Sequence, residues 1–171
     1  MIRRNIVVAC ALGACGQPAP APQPAPTVSP HDELAAMDTR TPVPLLPMMA
    51  HHQKQQMQDH LLVIQEIVGG LAAEDWPAVT SAAQRMGSSP QMAMTCEHMG
   101  AGADGFTERA LDFHKRADAI VEAAEGQDAA AVLRATHHTL EACTSCHATY
   151  RQEVLTPEAH RAATGSAGPH P

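Results

Sequence analysis

Cys143-Thr144-Ser145-Cys146-His147-Ala148-Thr149-Tyr150-Arg151 closes the last of four stretches in which apolar residues recur at helical spacing. On a helix Cys143, Cys146 and His147 stand at i, i+3 and i+4 and share one face. Two thiols on one face, with an imidazole directly after the second, form a haem attachment sequence. The thiols add across the two vinyl groups and the imidazole takes an axial position on iron. A zinc site would need further ligands at suitable spacing, and none is evident. The cofactor expected is one covalent haem c, bound by Cys143 and Cys146, with His147 as a metal ligand.

Working outward from this motif, Leu133, Thr136, Leu140, Cys143, His147, Tyr150 and Val154 make one apolar seam on a helix that begins near Asp128. Pro157 and the Ala/Gly/Ser/Pro-rich stretch to Pro171 are expected to end the ordered part as a disordered tail over 157–171. Upstream, Phe106, Ala110, Phe113, Ala117, Ile120 and Ala124 alternate in steps of four and three and stop at Gly126. Gly100, Gly102 and Gly105 mark a loop before them. Residues 89–99 fit a strand or a helix, and Pro90 with the helical flanks favours a short helix. Asp75 as N-cap, Pro77 in the first turn, and Trp76, Val79, Ala83 and Met86 at helical spacing define a further helix that Gly87 stops. A long helix over 48–73 carries Met57, Leu61, Ile64, Ile67, Val68 and Leu71 on one face. Four amphipathic helices with short connections predict an all-α antiparallel four-helix bundle over 47–156.

The N-terminus reads differently. Arg3-Arg4, the apolar run Ile6 to Leu12, and Leu12-Gly13-Ala14-Cys15 form an export signal over 1–14. The tetrapeptide resembles a bacterial lipoprotein box, which would make Cys15 the lipidated first residue of the mature chain; the alternative is an ordinary secretory signal. Over 15–46 the lipidated cysteine is followed by a linker. Its Gln17 to Pro26 segment alternates with proline and is expected to be an extended polyproline II spacer. Pro42, Pro44 and Pro47 are expected to break any regular element in the rest of it. The localisation expected is the periplasm, with a lipid anchor to a membrane. No run of about 18 apolar residues suggests a transmembrane helix.

A length of 171 residues suits one domain plus tails. Aromatic residues make up only 2 % of the chain, so a haem would supply bulk that the core otherwise lacks. The chain holds 11 Lys+Arg against 18 Asp+Glu, a net charge of −7. Loss of Arg3 and Arg4 with the leader leaves 9 against 18, or −9. Such a chain cannot neutralise a run of phosphates, so nucleic acid is excluded as a partner. The acidic excess instead suits a redox partner protein with a basic face; a homodimer is an open alternative.

The span Pro47 to Leu155 resembles the class II c-type cytochromes, the cytochrome c-prime family and its low-spin relatives. The resemblance rests on the motif Cys143 to Arg151 at the end of the last of four helices, since most c-type cytochromes carry theirs near the N-terminus. It implies that Cys143 and Cys146 are the thioether residues, that His147 is the proximal ligand and that Arg151 neighbours the proximal haem face. It also implies that the first helix supplies the distal side. The segment Met92 to Met99, with Cys96, falls outside the family pattern.

In an antiparallel pair of first and last helices, the start of one lies beside the end of the other. His147 stands eight residues before Leu155 and Met57 about as far past the start of the first helix, so Met57 is expected as the sixth iron ligand. Leu61 and Tyr150 are expected among the haem contacts. His60, one turn on, is the alternative ligand, and an apolar vacant distal side is the other alternative. A filled sixth position makes an electron carrier, an open one a binder of nitric oxide or carbon monoxide. A metal-handling lipoprotein is a third reading, motivated by Met92-Ala93-Met94-Thr95-Cys96-Glu97-His98-Met99. There Met92, Cys96 and Met99 share one helical face and Met94 with His98 another, which favours core packing by methionine over one copper site. His51, His52, His137 and His138 occur in adjacent pairs, so at least one of each faces solvent. No nucleophile and base pattern marks an enzyme.

Overall fold

The computed structural model describes residues 28–165. The export signal, Cys15 and the Pro/Ala spacer lie outside the described residues. Two units are distinguished, one ending at Asp38 and one beginning at Thr39. The first contributes helix α1, Pro30–Met37, started by Ser29, whose side chain accepts from the His31 N–H. None of its residues is buried.

The second unit runs β1 (Thr41–Leu45), α2 (Pro47–Ala72), α3 (Trp76–Gln84), α4 (Pro90–Gly100), α5 (Phe106–Glu125), α6 (Ala129–Thr149), β2 (Tyr150–Val154) and α7 (Pro157–Thr164). The all-α expectation holds, with a two-stranded ribbon added. Local chemistry sets the helix starts: the side chains of Asp75, Ser89 and Asp128 accept from the N–H groups of Ala78, Met92 and Ala131 at 2.9–3.1 Å. Residues 90–100 are helical, and Gly105 opens α5 at φ +74°, a conformation that glycine adopts without strain.

Val63 and Ile67 of α2, Val79, Ala82 and Ala83 of α3, Phe113, Ala117, Ile120 and Ala124 of α5, and Val132 and Ala142 of α6 form the larger core cluster, with Met86. Gly70 lets α2 and α3 approach, because a Cβ there would stand 2.8 Å from Val79 Cγ2. A second cluster joins Val43, Leu45, Ala50, Met99, Ala103, Phe106 and Tyr150.

Four expectations are corrected. Regular structure begins before Pro47, with α1 and β1 inside the expected linker, and β1 pairs in parallel with β2 from Thr41↔Tyr150 to Leu45↔Val154. Pro42 and Pro44 are tolerated because they share a parity, which puts both missing N–H groups on the unpaired edge of a two-stranded ribbon. Second, the last helix stops at Thr149. Tyr150 turns extended, with φ −118° and ψ 150°, and its hydroxyl donates to the Asp104 carbonyl at 2.7 Å. Third, the described part of the expected tail is helical: Thr156 caps α7, and α7 buries His160 and packs on β1, while residues 166–171 lie outside the described residues.

The fourth correction concerns which stripe faces the protein core. On α2 the buried residues are Ala50, Gln53, Val63, Ile67 and Gly70, whereas Leu61 is 70 % and Val68 52 % exposed. On α6 they are Val132, Thr136, Thr139 and Ala142, whereas Leu133 is 56 % exposed. Val154, on β2, is exposed as well. On α2 and α6, apolar residues therefore lie beside, and not only within, the stripe that packs against protein.

Candidate functional site

Leu61 on α2 and Leu140 on α6 line a cavity of about 350 Å³, walled by residues of α2, α4, α5 and α6 together with Met86; Val68 and Leu133 do not line it. From α6 come Leu140, Ala142, Cys143, Cys146 and His147. Neither cysteine is in a disulfide, both are half-buried, and burial pushes both thiols up from their ordinary value. The helix end that carries them is held in place: Arg40 Nη1 donates to the His147 carbonyl at 3.0 Å, and the Tyr150 N–H donates to the Cys146 carbonyl. A cation on the last carbonyls of a helix also suits its dipole.

From α2 come Met57, His60, Leu61 and Ile64. The exposure of Leu61 thus faces a cavity wall, and Met57, 36 % exposed, stands one turn before it. His60 packs against Phe113 at 4.8 Å between ring centroids and lies edge-on to His114 at 5.6 Å. Burial, and secondarily the neighbouring His114, lower its pKa from 6.5 to about 4. His114 is buried on α5. Its Nδ1 lies 2.8 Å from the Met86 carbonyl, which can only accept, so the proton sits on Nδ1 and Nε2 is left as an acceptor. Burial lowers the pKa of His114 too.

From α4 come Met92, Thr95, Cys96 and Met99, while Met94 and His98 are exposed, which is the division between faces that helical spacing predicts. Cys96 and Met99 are buried, and burial raises the pKa of the Cys96 thiol.

The structure therefore brings Cys143, Cys146, His147, Met57 and Leu61 to one cavity, with His60 beside them. Tyr150 and Arg151 do not form its wall. Tyr150 stands behind the wall residue Phe106, ring edge to face at 5.3 Å, and Arg151 lies on β2 within 3.5 Å of Glu153. His114, Arg109 and Gln53 are wall residues that sequence reasoning missed. His114 differs from its neighbours only in following Phe113 of the α5 seam, and a single polar residue beside a seam signals nothing.

A prediction follows from the two neutral imidazoles. Above pH 6.5 His60 is neutral in both the folded and the unfolded chain. Between pH 6.5 and about 4 the unfolded chain takes up a proton that the folded chain refuses. Stability should therefore fall as the pH drops through this window, with His114 acting in the same direction. Urea midpoints at pH 7 and pH 5 measure the slope, and His60→Gln should flatten it.

A haem suits this cavity. Its walls are mainly apolar, its volume lies in the range of about 300–1,000 Å³ usual for cofactor sites, and two thiols and an imidazole stand together on one wall. A family model described as cytochrome C' matches residues 50–151. No curated protein and no solved structure matches the chain. Because the matched span runs from the first turn of α2 through the thiol motif into β2, and covers more than half of the sequence, the chain belongs to the cytochrome c' family, the class II c-type cytochromes, and is a haem c protein.

Proposed function

We propose that the protein is a periplasmic electron carrier in which Cys143 and Cys146 hold the haem and the iron is ligated by His147 and Met57. The observation that carries this reading is that Met57 and His147 line one cavity from two different helices, α2 and α6. The haem supplies reversible one-electron exchange at its iron. The chain's own residues do the rest. Cys143 and Cys146 fix the ring to the last turns of α6, and Arg40, on the His147 carbonyl, steadies that end. Leu61, Ile64, Phe106 and Phe113 keep water from the ring faces. Met57 offers a thioether, whose pairing with histidine raises a haem potential relative to two histidines. His60 is the weaker candidate, since its ring is already packed on Phe113 and His114. A carrier rather than an enzyme is the role supported. Its partner would be a redox protein with a basic face, matching the acidic excess, and Cys15 would tether it to a membrane.

Leu61 and Ile64 on the same wall as Met57 favour a second reading, in which the distal side is apolar and open and the protein binds nitric oxide or carbon monoxide. Absorption spectra of the ferrous protein with and without carbon monoxide separate the two. The carrier reading expects a low-spin spectrum that carbon monoxide leaves unchanged; rapid formation of a carbon monoxide complex would replace it with the gas-binding reading.

A further inference from the structure

The face of α6 turned away from the cavity carries a group of side chains that haem binding does not use. His137 Nε2 lies 3.3 Å from Glu141 Oε1, and His138 Nδ1 lies 2.9 Å from Glu141 Oε2. The three residues are exposed, and one ligand atom from each lies within 4.8 Å of the other two. We propose that His137, His138 and Glu141 form a surface site for one divalent transition-metal ion of the zinc or copper class.

The donor set decides the class. Two imidazole nitrogens and one carboxylate suit zinc, copper or nickel, whereas magnesium and calcium require oxygen ligands. Glu141 stands four residues after His137 and three after His138, so the helix places its carboxylate beside both imidazoles. Only exposed side-chain rotors must adjust to bring the atoms to metal-ligand spacing. Three protein ligands on an open face leave further coordination positions to water.

The carboxylate is available. A hydrogen bond from His138, then the field of His137, His138 and Arg116, hold the Glu141 carboxyl below its usual range, so it is ionised at neutral pH. Arg116 works against the ion. Its Nη1 donates to the His138 carbonyl at 3.1 Å and its Nε to Asp112 at 2.7 Å, which fixes a positive charge beside the site. The alternative use of the cluster is an ion pair of protonated imidazoles with Glu141, which needs no metal. The two uses respond oppositely to Arg116: removing that charge strengthens cation binding and weakens the hold on the carboxylate.

The site precedes Cys143 by two residues on the same helix, yet it shares no residue with the cavity wall. Its fate is therefore independent of which ligand completes the iron. Calorimetric titration of the full-length, haem-loaded protein with Zn²⁺ tests it. One saturable site is expected, insensitive to Mg²⁺. His137→Ala with His138→Ala should weaken it by at least the ~10–100-fold that losing even an outer partner costs a metal site. Arg116→Gln should tighten it. Electron paramagnetic resonance of the Cu²⁺-loaded protein, read apart from the haem signal, should report two nitrogen ligands that the double variant loses. Unchanged Zn²⁺ affinity in the double variant, or no saturable binding in the parent, would overturn the proposal. All three ligand side chains are exposed, so the variants keep the fold, and a haem spectrum identical to the parent's verifies this.

Discussion

Replacing Cys143 and Cys146 together with alanine is expected to leave no haem on the polypeptide after acid-acetone extraction, whereas the parent keeps its haem through the same treatment and stains on a denaturing gel. The expectation follows from chemistry and placement together: both thiols stand on the wall of the one cavity that His147 also lines. The fold should suffer as well. Without the ring, the apolar wall that Leu61, Ile64 and Phe113 contribute would face water, a cost set against the ~5–15 kcal/mol that holds a typical domain together. Water entry and inward movement of the helices offset part of that cost. Even so, the melting temperature followed by far-ultraviolet circular dichroism should drop by roughly 10 °C or more. A double variant that retains acid-stable haem would remove these cysteines from the attachment role.

Met57→Ala is the second large effect. In the parent the thioether should keep the iron low-spin. Shortening the side chain to a methyl group leaves no donor at that level of α2, and Leu61 and Ile64 cannot supply one. The ferric spectrum should become high-spin and the ferrous form should bind carbon monoxide readily. Met57 belongs to neither core cluster, so any cost to folding comes through its bond to the haem iron rather than through protein packing. The change of spin state, and not a change of stability, is the signature of a ligand. If the variant stays low-spin, His60 is the ligand, and Met57 merely packs beside the ring.

The sequence was most legible where the chemistry is local. The cap at Asp75, the start of the last helix near Asp128, the seam Phe106 to Ala124 and the stop at Gly126 are each decided within a turn of helix, and they stand where spacing puts them. The faces of α2 and α6 were less legible. A stripe that lines a cofactor cavity is as apolar as one that packs on protein, so spacing alone does not tell Leu140, which faces the cavity, from a core residue, whereas Met57 and Leu61, expected at the haem, do line it. The β1/β2 ribbon was hidden for another reason. Tyr150 and Val154 continue the helical spacing, and what turns them extended is long-range pairing with Thr41 to Leu45, which local pattern does not carry. The motif itself placed Cys143, Cys146 and His147 on one face without help from tertiary structure. Their cavity neighbours His114 and Cys96 emerge only once α4 and α5 are folded against it.

The proposal of a carrier turns on what occupies the two axial positions, and iron K-edge X-ray absorption of the intact protein measures that directly. One sulfur and five nitrogen scatterers in the first shell are expected, from Met57, His147 and the four haem nitrogens. A shell of six nitrogens, or of five with no sulfur, would contradict it.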